Sequence, residues 1–236
     1  MTYPSDAQLS STAFHPIPGT SIAALGRIVQ VVLGVSALVA VYQVFAIMHE
    51  HSLAGQLLDH AGSVTLSRAQ NADNAVNDRG QLALAVLVLA ALVFLVWFWR
   101  ARTNAQGFDP HAHRRARAWA FWGWVCPVVS LWFPHQIATD ILRASDEPSY
   151  GRTPGYRHYG LVTAWWLSFV LYEVLNRVVA AHGSDTLNEL RGRLEVDLAA
   201  CVVQVIAAVL AIAVVGRITS SEERRRAQLL GGAARA

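Results

Sequence analysis

A chain of 236 residues with 54% hydrophobic and 15% charged side chains falls well short of the roughly 25% charged residues of soluble domains. That composition excludes an ordinary water-facing surface and indicates a membrane protein. All 19 basic side chains are arginines, set against 16 acids for a net charge of +3, so a Schiff base, a lysine nucleophile and a phosphate-loop lysine are excluded.

The first 21 residues, with Pro4, Pro16 and Pro18 among serines and threonines, read as a disordered tail. Residues 28–48 form an apolar run long enough for a hydrocarbon core of about 30 Å, which takes roughly 20 helical residues. No basic residue precedes Arg27, and no small-x-small cleavage pattern follows the run, so it reads as a retained helix and not a cleaved signal. Residues 50–80 are polar with scattered leucines and are expected to form short helical extensions outside the bilayer. Residues 82–99 are the second span. Residues 119–142 are apolar but carry Pro127 and Pro134. Each proline removes a backbone donor, so a straight helix is not expected there. Residues 159–181 have the length of a span and contain Glu173, Asn176 and Arg177, and residues 198–215 form the last apolar run. Residues 221–236 read as a basic cytoplasmic tail. No internal repeat of fixed period is visible, so an inverted-repeat transporter is not supported. Cys126 and Cys201 lie in apolar runs without CxxC spacing, which suggests neither a disulfide framework nor a zinc site.

Arginine placement discriminates between topologies, because basic residues collect in cytoplasmic loops. If residues 119–142 cross the bilayer, nine arginines fall inside and ten outside. If that segment dips in and returns, fourteen fall inside and five outside, which is the bias the rule describes. The eight tryptophans all lie between Trp97 and Trp166, on the cytoplasmic side in the second arrangement. The sequence therefore predicts an all-α integral membrane protein of four transmembrane helices plus a Pro-interrupted re-entrant or interfacial segment. The membrane domain covers residues 22–220, and both termini face the cytoplasm. Non-helical backbone at such depth must be buried in protein, so the segment is expected to pack on the other helices.

The runs Phe98-Trp99-Arg100-Ala101-Arg102-Thr103-Asn104-Ala105, then Gly123-Trp124-Val125-Cys126-Pro127-Val128-Val129-Ser130-Leu131-Trp132-Phe133-Pro134, then Asp140-Ile141-Leu142-Arg143-Ala144-Ser145 resemble domain of unknown function 4328, a family found chiefly in actinobacterial membrane proteins. The resemblance covers roughly residues 80–220. It departs from the family at Ser130, where Asn is favoured before Leu-Trp, and at His135, which replaces Tyr after the second proline. The family name implies no activity, so no catalytic residue transfers from it.

Two constellations stand out as candidate sites. The first is Arg102, Asn104, Trp124, Pro127, Trp132, Pro134, Asp140, Arg143 and Ser145 on the inner face. Asp140 and Arg143, three apart, are placed to meet on one helix face, and Asn104 is suited to carbonyls freed by the prolines. Its functional reading is a small polar pocket beneath the re-entrant segment. Its structural reading, that these groups satisfy an irregular backbone, is favoured because buried polar groups need partners whatever the function. The second is Glu173, Arg177, Asp197 and Gln204. Ionisable residues inside spans are costly and point to a functional site, although Arg177 can also snorkel outwards. His49, Glu50, His51 and His60, and Asp109 with His111 and His113, lack a recognised ligand spacing. HExxH, GxSxG and a phosphate loop are absent, so no metal, cofactor or catalytic set is expected.

These observations favour a non-enzymatic membrane module that binds or positions a partner through its cytoplasmic face. Its basic strip would lie on the anionic inner leaflet, without nucleic-acid binding. A small, self-associating transporter or channel component using the second constellation is the alternative, and an intramembrane enzyme is the third reading.

Overall fold

A computed structural model describes residues 18–59, 66–126, 128–146, 157–181 and 187–234, with side chains described for 18–48, 78–126, 128–146, 159–181, 192–232 and 234. The described residues are all-helical: α1 (Ala23–Asp59), α2 (Leu66–Phe108), α3 (Trp119–Val125), α4 (Phe133–Ser145), α5 (Arg157–Ala181) and α6 (Leu187–Ala233). Short 3-10 turns at Pro110–Ala112 and Val129–Leu131 flank α3. The disordered-tail expectation for residues 1–17 lies outside the described residues.

Three helical stretches, Ala23–Met48, Asp78–Phe108 and Gly192–Gly232, are long and apolar enough to cross a membrane. Their outward faces carry large apolar side chains at helical spacing. Val31, Val35, Leu38, Tyr42 and Phe45 on α1, with Val202, Ile206 and Val209 on α6, are all exposed. Such contiguous apolar surface is uncharacteristic of a soluble monomer and suits a lipid solvent. α6, at 47 residues, is about 70 Å long at 1.5 Å per residue. It therefore outruns a core of about 30 Å and projects beyond it.

α1 packs along α6, and α6 along α5. The α1–α6 seam is close because glycines line it. A Cβ on Gly26 would stand 2.6 Å from Thr219 Oγ1, and one on Gly216 would stand 2.9 Å from Gln30 Nε2. Small residues at such seams let backbones approach where no hydrophobic effect drives association. Gln30 Nε2 donates to Ile212 O at 3.2 Å, and Trp97 Nε1 donates to Thr219 Oγ1 at 3.2 Å, tying α2 into the same seam.

The start of α1, the end of α2 and the stretch of α6 around residues 217–226 meet at one end of the bundle, which is its basic end. α4 is a plug in that end, packed against α2, α5 and α6. Ile137, Ala138, Ile141 and Leu142 are at most 1% exposed and join Trp97, Phe98, Val214, Val215 and Ile218 in the main core. The α4 half of the double-proline segment is thus core, packed on the other helices, whereas Phe121, Trp122, Val125, Val128 and Leu131 of the other half are exposed.

Candidate functional site

The α3–α4 hairpin begins and ends at the basic end. α3 stops at Cys126, whose backbone is extended, and α4 starts with Pro134 in its first turn. A proline there sacrifices no helical hydrogen bond, so it starts a helix instead of breaking one. The turn between them is anchored by Trp166 Nε1, which donates to Leu131 O at 2.9 Å. Two further contacts follow α4 back along α5: His135 Nε2 lies 3.1 Å from Thr163 Oγ1, and Arg143 Nε donates to Tyr159 Oη at 3.2 Å. Pro127 lies outside the described residues.

Trp124 sits at the hairpin's tip inside a ring cluster. Its centroid is 5.5 Å from Phe94, 5.9 Å from Phe98, 5.8 Å from Trp166 and 5.7 Å from Phe169. Edge-on arrangements of this kind add about 0.5–1.5 kcal/mol per pair beyond area burial. Trp132 differs: it is 42% exposed.

The expected Asp140–Arg143 pair does not form. Asp140 is 1% exposed while Arg143 lies on the outer side of α4, so the acid turns to the loop before α3. Arg114 Nη2 approaches Asp140 Oδ1 at 2.8 Å, and Arg114 Nε donates to the same oxygen at 2.9 Å. The Arg114 amide donates to Oδ2 at 3.1 Å. This carboxylate pins the base of the hairpin. Arg102, 3% exposed, donates through Nη2 to Arg115 O at 2.8 Å and through Nη1 to Gln106 at 3.3 Å. Ser145 Oγ caps back onto Ile141 O at 2.8 Å. His113 is pushed below its ordinary value, first by burial and then by the Arg102 charge.

Asn104 does not serve the prolines. Its Nδ2 donates to Thr20 O at 2.7 Å and to Glu222 Oε2 at 3.0 Å, and its Oδ1 accepts from the Thr20 amide at 3.1 Å. Glu223 Oε1 accepts from Ser21 Oγ at 2.7 Å, from the Ile22 amide at 2.8 Å and from the Ala23 amide at 3.2 Å. It thereby caps the first turn of α1, where a negative charge also meets the positive end of the helix dipole. Arg226 Nε donates to Gly19 O at 2.8 Å. Residues 19–23 are thus clasped between α2 and α6, and the ordered chain begins before residue 22. α6 continues without a break through the stretch expected as a tail, burying Ser221 and Glu222 at 1% exposure each. Glu222 lies about 10 Å of helix past the end of the apolar run at Val215. Burial pushes its carboxyl well above the usual range against the opposing hydrogen bond from Asn104, and the Glu223 charge raises it further.

The second constellation lies towards the opposite end. Glu173 and Gln204 border one cavity. Arg177 is 73% exposed and pairs with Glu173, Nη1 to Oε2, at 3.4 Å. The cavity's other walls are mostly apolar. Asp109 Oδ1 accepts from the His111 amide at 2.9 Å and caps the first 3-10 turn. His49, Glu50, His51 and His60 lie outside the described side chains. Among the described residues, no group of three or more His, Cys, Asp and Glu is placed to hold a metal.

Fold and site together define a class: a helical membrane protein whose basic end is plugged by a buried hairpin and clasped by a polar network. The chain belongs to the family described as domain of unknown function (DUF4328), which matches residues 61–220. The match takes in the whole of α2 and stops just short of Glu222 and Glu223. No curated protein and no solved structure matches the chain.

Proposed function

We propose that the protein is a non-enzymatic membrane module with four spans, α1, α2, α5 and α6, and a re-entrant α3–α4 hairpin. Both termini and the basic end face the cytoplasm of the cell membrane, where the basic end binds or positions a partner. The carrying observation is the clustering of arginines around the hairpin's mouth. Arg100, Arg114, Arg115 and Arg117 are exposed there, and Arg224 and Arg226 follow the clasp on α6. α5 supports the fourth span, since Leu167, Leu171, Val174 and Val178 form an exposed apolar stripe. Arginine-rich loops favour the cytoplasmic side, and each basic residue near an anionic surface contributes about 1 kcal/mol of attraction. Trp132, exposed beside that strip, is the partner anchor, as exposed tryptophans commonly are at interfaces.

Two experiments test this reading. With Cys126 and Cys201 replaced by alanine, single cysteines at Asp109, Asp146 and Arg193 are challenged with an impermeant maleimide. The first two should label only from the cytoplasmic face and the third only from outside; labelling of positions 109 and 146 from opposite faces defeats the topology. Proximity labelling from the C-terminus should then lose specific neighbours in Trp132→Ala. An unchanged neighbour set, with the variant inserted at normal levels, removes the partner role.

A further inference from the structure

Away from the basic end, α2, α5 and α6 enclose a cavity of about 400 Å³, with α1 contributing Leu33 and Ser36. It exists because small residues stand where bulk would close it: Ala90 and Ala91 on α2, and Ala207, Ala208 and Ala211 on α6. From Phe94 to Leu87, both in its wall, α2 rises about 10 Å at 1.5 Å per residue. Its floor is aromatic. Phe94, Trp124 and Trp165 close it towards the basic end, with Phe94–Trp124 centroids 5.5 Å and Phe94–Trp165 centroids 5.9 Å apart. Tyr172, Glu173 and Gln204 supply polar groups further from that floor. Val88 and Glu173 line the cavity and yet are 49% and 38% exposed, the latter for its side chain. The mouth therefore opens sideways between α2 and α5, on the surface that lipid covers.

Three observations restrict the occupant. The volume lies in the range of roughly 300–1,000 Å³ typical of small-molecule sites, which are mostly apolar with a few placed polar groups. Water is disfavoured at the floor, because a buried water needs about 2–4 polar partners. The floor offers the Trp124 indole N–H, which is buried without a partner among the described residues. At the mouth, Glu173 is countered by Arg177 at 3.4 Å, so the rim presents an acid and a base together and selects against a head group of large net charge.

We propose that this cavity binds one chain of a neutral or zwitterionic lipid-like amphiphile taken laterally from the bilayer. The chain lies on Phe94, Trp124, Trp165 and the alanines, and its polar group rests among Tyr172, Glu173 and Gln204. This inference rests on α5 being a membrane span, as proposed above, and not on the partner role of the basic end. Occupancy would also brace the Trp124 tip of the hairpin, linking the state of the bilayer to the segment that ends at the basic face.

The test uses the full chain in phosphatidylcholine nanodiscs, with lysophosphatidylcholine carrying a diazirine near the end of its single chain. After irradiation, peptides containing Phe94, Trp124, Trp165 and Phe169 should carry the label, saturating at low probe fraction and competed by unmodified lysophosphatidylcholine. Labelling at the lipid-facing Val209 should rise linearly and resist competition. Ala208→Leu, which fills the cavity, and Ala91→Phe, which narrows it from its exposed wall, should each cut cavity labelling at least tenfold, whereas Val209→Leu should not. Ala91 is exposed, so that variant keeps the test valid if Ala208→Leu misfolds. Cavity labelling that is linear, uncompeted, or undiminished in a folded variant overturns the proposal.

Discussion

Asn104→Ala tests the clasp directly. The substitution removes three hydrogen bonds: the paired contacts with Thr20 at 2.7 and 3.1 Å, and the donation to Glu222 Oε2 at 3.0 Å. Thr20 is exposed, so its backbone groups regain water and each lost bond costs near the lower end of the usual 0.5–1.5 kcal/mol, about 0.5 kcal/mol. Glu222 is 1% exposed and its Oε1 has no partner among the described residues. Losing the Asn104 donor leaves it poorly satisfied, at about 1–3 kcal/mol. The total is about 2–4 kcal/mol, and each 1.4 kcal/mol is tenfold in an equilibrium. Opening of residues 18–23 should rise by about 30-fold or more. Hydrogen exchange of the full chain in phosphatidylcholine nanodiscs reads this in peptides spanning residues 18–30, with residues 205–215 of α6 as an internal reference. Exchange within twofold of the parent chain would refute the clasp. Uniform acceleration in both regions would show that Asn104 supports the bundle as a whole instead.

Three further outcomes follow from the same geometry. Glu222 keeps its proton in the folded chain to a higher pH than in the unfolded chain, so its contribution is fully present below the unfolded value and is lost as pH rises through the raised folded one. Glu222→Gln should flatten that decline in a thermal-midpoint profile from acid to alkaline pH, and an identical slope in both chains rejects the assignment. Arg114→Gln, which strips the cation from the buried Asp140 carboxylate, should cost about 3–5 kcal/mol, the range for an uncompensated buried charge. Asp140→Asn leaves Arg114, whose side chain is 46% exposed, to solvent and should cost less. The double variant Arg114→Gln/Asp140→Asn should lose less than the sum, as measured by denaturant titration in micelles, and strict additivity would deny the coupling. Gly26→Val should open the α1–α6 seam, since a Cβ there meets Thr219 Oγ1 at 2.6 Å. The overpacking cost of about 1–3 kcal/mol should appear as a lower thermal midpoint, whereas Gly34→Val, with open space at its Cβ, should leave the midpoint unchanged.

The membrane character and the interruption of the double-proline segment were legible because both are local. Hydropathy over some 20 residues reports the solvent, and a proline acts on its own turn. The burial of α4 was legible in principle, because irregular backbone at membrane depth must be covered by protein. Its partners were not. Asp140 and Arg143 satisfy the i, i+3 rule, yet that rule ranks only neighbours on one helix. It carries no information about a loop residue such as Arg114, 26 positions away in the chain, which the fold brings to the buried side. Sequence spacing thus identified a carboxylate that needed a cation and assigned it the wrong one.

The clasp shows the same limit from the other direction. Glu222 and Glu223 fall in the stretch read as a basic tail, and their partners, Asn104 for Glu222 and Ser21 and Ile22 for Glu223, stand 118, 202 and 201 positions away in the chain. Glu223 binds backbone amides at the start of α1, which every helix leaves unsatisfied. Asn104 supplies the donor that a buried carboxyl requires. The family match contains Asn104 but stops before both glutamates and begins after α1, so the clasp fastens flanking helix to family core. It does so at the basic end, beside the hairpin's mouth. A partner that draws residues 18–23 away would therefore expose Glu222 and Asn104 together and relieve the burial that pushes the Glu222 carboxyl up.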